Sequence, residues 1–176
     1  MLRLLALIGV IAIAVAIGAA VYLFAGFYDV AASTRTRGPI DQALERIRDA
    51  SVSRRATAKP PISLDDQQVI QAGARQFSEL GCVKCHGAPG IRRDLFGRAM
   101  NPGPPGLKTL SEDDPAEVFW IVKNGIRMTG MPSFGTAGVA DDQIWQVVAF
   151  VRKLQTISGN DYKTWTAAAP AGTPDK

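Results

Sequence analysis

The chemically distinctive part of the sequence is the pentapeptide CVKCH at residues 82–86, which holds both cysteines and the single histidine of the 176-residue chain. Two thiols at this spacing, followed directly by an imidazole, form the attachment signature of a c-type haem. The thiols add across the two vinyl groups on one side of the porphyrin, and the imidazole is then placed to bind the iron. The spacing predicts one covalent haem c on Cys82 and Cys85, with His86 as an iron ligand.

Other uses of these residues explain less. A structural zinc site normally takes four ligands, and the chain offers two cysteines and one histidine. A thioredoxin-like dithiol would follow a strand in a βαβ unit, whereas a helical pattern precedes Cys82. A disulfide between the two cysteines stays open in an oxidising compartment, but it leaves His86 without a role.

The second axial position of the iron cannot take another histidine of this chain, because His86 is the only one. A methionine, another weak ligand or no ligand remains. Met131 lies in an irregular segment between Gly130 and Pro132, which would present its thioether on a stiffened loop. We expect Met131 to bind the iron, with Met128 or no methionine as the alternatives.

Helical patterns on both sides would position this signature. A helix is predicted over residues 65–80, since apolar residues recur there at helical spacing. That face carries Val69, Gly73, Phe77 and Leu80. A second helix, capped by Asp141 or Asp142, presents a similar stripe. Gly73 would let the second helix come close, with Phe77 and Trp145 as the aromatic contacts.

The stretch between these helices supplies a third helix and a rigid loop. Asp114 is predicted to cap the third helix, with Pro115 at its first position. Residues 101–107 are rich in proline and glycine and favour no regular structure. No stretch alternates as a strand does. Residues 63–158 are therefore predicted to form an all-α domain, with haem supplying the apolar surface that so small a core lacks.

An uncharged run over residues 4–28 predicts a single transmembrane helix. As a helix it would extend about 37 Å, and a hydrocarbon core is about 30 Å thick. A cleaved signal peptide is the alternative, but its apolar region would be only about 7 to 15 residues long. We expect residues 1–28 to be a retained membrane anchor.

The side of the membrane is predicted from the haem. Covalent attachment of this kind takes place outside the bacterial cytoplasm, so the domain would lie in the periplasm and the anchor in the inner membrane. Charge is a weaker guide. Arg3 favours an internal amino terminus, whereas Arg35, Arg37, Arg46 and Arg48 favour the opposite sense.

The segments that flank the domain are predicted to be a linker and a tail. Residues 29–62 would be a periplasmic linker, in which a short amphipathic helix follows Pro39. That helix would lie on the membrane or on a partner subunit, or would be part of a solvated spacer. Residues 159–176 are predicted to be a flexible tail, with Tyr162 and Trp165 able to hold its start on the domain.

The net charge of +4 does not indicate nucleic-acid binding. Residues 29–62 hold seven basic and four acidic residues, whereas residues 63–158 hold ten of each. The basic excess therefore lies in the linker, and no basic stripe interleaved with aromatic residues accompanies it.

Residues 63–154 resemble the class I c-type cytochromes, particularly the small membrane-tethered kind related to haem domains of bacterial terminal-oxidase subunits. The order and distances of six motifs agree. These are the Gly73 and Phe77 helix, CVKCH, Pro105-Gly106-Leu107, Lys123-Asn124-Gly125, Gly130-Met131-Pro132 and the helix of Ile144, Trp145, Val148 and Ala149. The resemblance implies that Cys82 and Cys85 bond the haem vinyls, while His86 and Met131 ligate the iron.

The resemblance also implies residues around these ligands. The carbonyl of Pro105, or of its neighbour Pro104, would accept a hydrogen bond from the free ring nitrogen of His86 and so orient the imidazole. Leu107 and Trp120 would line the haem pocket. The haem propionates would pair with Arg127 and Arg98, unless these are plain surface arginines.

A haem with two protein ligands has no open iron position, so we expect a one-electron carrier and not an enzyme. Methionine ligation raises the potential and suits transfer toward a terminal acceptor. Its partners would be redox proteins such as a terminal oxidase or a quinol-oxidising complex. The basic residues expected to steer an acidic partner to the haem edge are Lys84, Arg92, Arg93 and Lys123.

Two other functions stay open at the level of sequence. The chain could be a haem c subunit of a larger membrane oxidase or dehydrogenase complex, in which the anchor and the linker helix pack against other chains. It could also be a gas-binding haem, which would need Met131 to be absent from the iron or displaceable.

Overall fold

The computed structural model describes residues 1–34 and 38–167, without the side chain of Lys108. The chain divides into two compact units, Met1–Thr36 and Arg37–Lys176. Arg35 and Arg37, used above for the membrane orientation, lie outside the described residues, as do residues 168–176 of the predicted tail.

The first unit consists of one long apolar helix, α1 (Leu2–Phe24), whose side chains are exposed. Its length and composition suffice to cross a membrane, although a signal sequence near the amino terminus would pass the same test. The helix itself is therefore confirmed, and its retention as an anchor stays a prediction.

The regular elements of the second unit are all helices within its described residues, apart from one isolated bridge. Its elements are α2 (Pro39–Arg55), α3 (Gln67–Glu79), α4 (Cys82–His86), α5 (Leu95–Ala99), α6 (Leu107–Glu112), α7 (Pro115–Asn124), α8 (Asp141–Arg152) and α9 (Gly159–Thr166). No strand occurs among the described residues, where the single antiparallel bridge joins Ala88 to Ile91. The predicted all-α class is confirmed.

The core forms where α3 crosses α8 in direct backbone contact. A Cβ atom at Gly73 would lie 2.6 Å from the carbonyl carbon of Gln146 and 2.9 Å from Cβ of Phe150, so only glycine fits. This confirms the predicted close approach. The aromatic partners differ from the prediction, because Phe77 packs on Phe150 with ring centroids 5.3 Å apart.

Trp145 instead stacks on Phe119 of α7, with ring centroids 4.2 Å apart and planes 11° from parallel. The reason is helical geometry: Trp145 and Phe150 are five residues apart, and at about 100° per residue they point to different faces of α8. One face of α8 therefore packs on α3 and the next one packs on α7.

Short polar side chains fix where the helices begin. Asp66 caps α3 by accepting a hydrogen bond from the backbone N–H of Gln68 at 2.7 Å, and Asp114 caps α7 in the same way through Ala116 at 2.7 Å. The Asp114 cap is as predicted. Helix α8 differs: its cap is Ala140, whose N–H donates to Oε1 of Gln143 at 3.1 Å.

The segments predicted to flank the domain contain two further helices, α2 and α9. Helix α2 belongs to the compact second unit, because Val52 is buried and α2 packs against α7. Residues 159–166 form α9, in which the ring of Tyr162 is buried and stacks on Phe150 at 5.6 Å. Tyr162 thus holds the start of this segment on the domain, as predicted, whereas the helix around it was not predicted.

Candidate haem-binding site

The signature CVKCH forms one helical turn, α4, directly after α3. Gly81 joins the two helices in the left-handed conformation, with φ of 77°, which glycine adopts without strain. Residues three and four apart on a helix share a face, so Cys82 and Cys85 project on the same side. The two thiols are not bonded to one another.

The surroundings of the two thiols keep them protonated. Burial raises the pKa of the Cys82 thiol to about 12. The pKa of Cys85 is also raised, first by burial and then by the carboxylate of Asp94. Thiolates are the species that bind metal ions and exchange disulfides. In the absence of a ligand, the neutral thiol is therefore favoured at both positions.

The imidazole of His86 lies against the proline-rich loop. Its Nδ1 is 3.4 Å from the carbonyl oxygen of Pro105. With the proton on Nδ1, that nitrogen donates to Pro105, and Nε2 keeps the lone pair that a metal ion requires. Burial lowers the pKa of His86, which the Pro105 carbonyl opposes and the charge of Arg93 reinforces. The ring is therefore held in its neutral, ligating form.

The adjacent carbonyl has a different partner. Nη1 of Arg93 donates to the Pro104 carbonyl oxygen at 3.0 Å. Of the two prolines that the sequence left open, the structure therefore places Pro105 against His86 and Pro104 against Arg93. The role of Pro105 toward a haem ligand stays a prediction.

The chain after His86 folds back on α4. Gly87 has φ of 77°, and Ala88 and Ile91 exchange two backbone hydrogen bonds of 2.9 and 2.8 Å. Helix α5 then packs on α4 so closely that a Cβ atom at Gly97 would lie 2.7 Å from Cα of Cys85. The backbone of α5 around Gly97 therefore supports the CVKCH turn at Cys85.

The loop that carries Met131 is fixed by its own hydrogen bonds. The N–H of Met131 donates to Oγ1 of Thr129 at 3.1 Å, and its carbonyl accepts from the N–H of Ile126 at 3.2 Å. Met131 is half-buried and packs against the core. Met128, the alternative ligand, is 82% exposed. These environments favour Met131, whose ligation of the iron stays a prediction.

One neighbour of this loop escaped the sequence analysis. A Cβ atom at Gly130 would lie 2.7 Å from the thioether sulfur of Met100, so the Met100 side chain covers the backbone beside Met131. No sequence signal pairs residues 100 and 130, because the contact joins two irregular segments.

The remaining predicted pocket residues lie in different settings. Leu107 is half-buried against the core at the start of α6. Trp120 is half-buried on α7, and its carbonyl accepts a hydrogen bond from the side chain of Asn124 at 2.8 Å. Arg127 and Arg98 are exposed, and Nε of Arg98 is 3.4 Å from the Asp94 carbonyl oxygen.

Two of the four residues expected to steer a partner are engaged within the domain. Lys123 forms an ion pair with Asp141 at 2.7 Å and lies 5.6 Å from the centre of the Phe119 ring. Arg93 is partly buried against the proline loop. Lys84 and Arg92 remain exposed.

The residues present fit a haem better than a bare metal ion. No cluster of three or more His, Cys, Asp or Glu side chains that could hold a metal ion occurs among the described residues. Several apolar side chains are only half-buried although they pack on the core. They are Leu80, Val83, Leu107, Leu110, Met131 and Phe134. A porphyrin offers the apolar surface that such side chains would cover.

Comparison with known proteins supports the same conclusion. Residues 68–151 match the family model described as Cytochrome C oxidase, cbb3-type, subunit III. No curated protein and no solved structure matched the chain. The match runs from the first turn of α3 to the last turn of α8 and includes the CVKCH turn. The match supports a class I c-type cytochrome domain over residues 68–151, and such a domain implies an electron-transfer haem c protein.

Proposed function

We propose that this domain carries single electrons through one haem c, bonded covalently to Cys82 and Cys85 and ligated by His86 and Met131. The observation that carries the proposal is the placement of the His86 ring against the Pro105 carbonyl, on the same helical turn as both thiols. When bound, the haem supplies a reversible change between ferrous and ferric iron.

The protein's own residues would set how readily that change occurs. His86 donates a hydrogen bond from Nδ1 to the Pro105 carbonyl. This bond fixes the plane of the ring and makes the lone pair of Nε2 a stronger ligand for the iron. Half-buried Leu107 and Phe134 would exclude water from the iron, which favours the less charged ferrous state. A thioether from Met131 favours that state too. If His86 and Met131 both hold the iron, no position on it would remain for a substrate, so the domain would act as a carrier and not as an enzyme.

We propose that α1 anchors the chain in the bacterial inner membrane, because the helix is long, apolar and free of acidic residues. The haem domain would lie in the periplasm, because covalent haem attachment of this kind takes place outside the cytoplasm. The partners would then be periplasmic or membrane redox proteins, such as a terminal oxidase or a quinol-oxidising complex.

A second candidate function is a haem c subunit within a larger membrane oxidase or dehydrogenase complex. Two observations favour it: the matched family is described as an oxidase subunit, and α2 leaves Leu44 and Ile47 exposed by 47% and 63%. Purification in mild detergent separates the candidates. A tight subunit will co-purify with its partner chains, whereas a free carrier will elute alone.

Absorption spectroscopy of the chain purified from bacterial membranes tests the proposal. We expect a haem that resists extraction by acidified organic solvent, a reduced spectrum of c type, and the weak near-infrared band of a methionine–Fe(III) bond. Carbon monoxide should bind slowly or not at all to the reduced protein. Extractable haem would contradict covalent attachment, and prompt carbon monoxide binding would favour the gas-binding function instead.

A further inference from the structure

The backbone around Arg93 is fastened to the turn from which His86 projects. The N–H of Asp94 donates to the Lys84 carbonyl at 3.0 Å, and Ala88 and Ile91 exchange their two hydrogen bonds just before it. A Cβ atom at Gly87 would lie 3.1 Å from the backbone nitrogen of Arg93. Arg93 therefore starts from a fixed position relative to His86.

The side chain of Arg93 then reaches the proline-rich loop. Its Nη1 donates to the Pro104 carbonyl at 3.0 Å, and the next carbonyl, that of Pro105, lies 3.4 Å from Nδ1 of His86. Proline has no N–H, so Pro104 and Pro105 can be held by hydrogen bonds only through their carbonyls. One guanidinium thus fixes the peptide next to the one that contacts the imidazole.

The geometry at His86 is sensitive to this support. A separation of 3.4 Å between Nδ1 and the Pro105 oxygen is at the long end of the hydrogen-bond range, so a small displacement of the loop would break the contact. A hydrogen bond from a charged guanidinium is stronger than one between neutral groups. Arg93 is therefore suited to limit that displacement.

We propose that Arg93 is a positioning residue: by holding the Pro104 carbonyl it keeps the Pro105 carbonyl against Nδ1 of His86, and so sets the orientation of the imidazole toward the iron. The inference rests on the proposed function, since it requires His86 to be the axial ligand. It also replaces the steering role expected for Arg93 from sequence, which its exposed neighbour Arg92 can still fill.

The test uses the full haem-bearing chain and measures how fast the Nδ1 proton of His86 exchanges with solvent, by nuclear magnetic resonance of the reduced protein. Arg93→Met keeps a long unbranched side chain but removes the charge and the hydrogen bond. Arg93→Gln keeps a polar end group, but its side chain is too short to reach the Pro104 carbonyl. We expect exchange about tenfold faster in both, the factor that loss of one charge-assisted hydrogen bond gives.

The matched control is Arg92→Met, which removes the same charge one residue away. It should exchange at the wild-type rate and leave the shifted His86 ring resonances of the oxidised protein unchanged. Wild-type exchange in both Arg93 variants, or equal acceleration in Arg92→Met, would overturn the inference. Failure of the proposed function is recognised separately, because the wild-type chain would then lack the spectrum of a covalent, methionine-ligated haem.

Discussion

Two faces of the cytochrome domain are held together in different ways. The crossing face, formed by α3, α8 and α9, is sealed by the chain's own side chains: Ile144, Phe150 and Tyr162 are at most 1% exposed. The haem face, formed by α4, α5 and residues 101–107 and 126–134, has half-buried apolar side chains and loops held by individual hydrogen bonds. The first face is complete without a ligand, whereas the second supplies a surface for one.

The largest effect should come from Gly73→Val on the crossing face. A Cβ atom there would lie 2.6 Å from backbone of Gln146, so α3 and α8 must separate and expose the core between them. We expect a loss of about 4 kcal/mol or more in the free energy of unfolding, measured by denaturant titration of the haem-bearing protein.

Gly103→Ala is the matched control, since the nearest atom to its Cβ would be 3.6 Å away. It should leave the stability within about 0.5 kcal/mol of wild type. Equal stability of the Gly73 and Gly103 variants would show that the two faces do not differ in the way proposed.

The next effect concerns the haem face and should change chemistry more than stability. Met131→Leu keeps the volume of the side chain but removes the sulfur. We expect the near-infrared methionine band to disappear, carbon monoxide to bind, and the potential to fall on the order of 0.1 V, because axial ligands set haem potentials over about 0.8 V.

Met128→Leu is the control for this change, because Met128 is 82% exposed. It should leave the band, carbon monoxide binding and potential as in wild type. Loss of the band in Met128→Leu but not in Met131→Leu would transfer the ligand role to Met128.

The contrast between the faces also explains what the sequence could predict. The crossing face follows from periodicity and one glycine: the helices around Phe77 and Val148 and the close approach at Gly73 were all predicted. The aromatic contacts depend on which face of α8 carries each ring. The apolar pattern of α8 did not show that Phe150, and not Trp145, packs on Phe77. Beyond the periodic region, Tyr162 was predicted to hold the start of the tail on the domain, but the helix α9 around it was not predicted.

On the haem face, motif spacing predicted the ligand candidates, but not the contacts that hold them. The bond from Arg93 to Pro104 and the packing of Met100 on Gly130 join irregular segments that no periodicity relates. Arg93 was predicted to be a surface charge, because the sequence does not show which group the end of a long side chain contacts.

A smaller effect is expected at the anchor of α9. The hydroxyl of Tyr162 is buried and makes no hydrogen bond of good geometry among the described residues. Burial raises its pKa, whereas the nearby Ser78 side chain lowers it. Tyr162→Phe keeps the stack on Phe150 and removes a buried hydroxyl that has only a weak interaction with Ser78, so stability should stay within about 1 kcal/mol of wild type.

Tyr162→Ala provides the contrast, because it deletes the buried ring and should cost about 3 to 5 kcal/mol. Thermal unfolding of the two variants measures both effects. A large loss in Tyr162→Phe would mean that the hydroxyl has a partner and that the crossing face is sealed by polar as well as apolar contacts.

The smallest effect lies at the ends of the crossing, where Asp65 pairs with Lys153 at 2.8 Å. The hydrogen bond and charge of Lys153 hold the pKa of Asp65 below its usual value of 3.8. A carboxyl group whose pKa is lower in the folded than in the unfolded protein stabilises the fold at any pH above its pKa in the unfolded chain. This contribution is lost as the pH falls through its pKa in the folded protein. The Asp65 side chain is 67% exposed and that of Lys153 37%, so solvent screens the pair and its contribution at pH 7 is small.

The Asp65→Asn variant tests this contribution. It should be slightly less stable than wild type at pH 7, and the difference should shrink as acid protonates Asp65. Urea titrations at pH 7 and pH 3 measure this, and a difference that grows in acid would assign the pH dependence to another group.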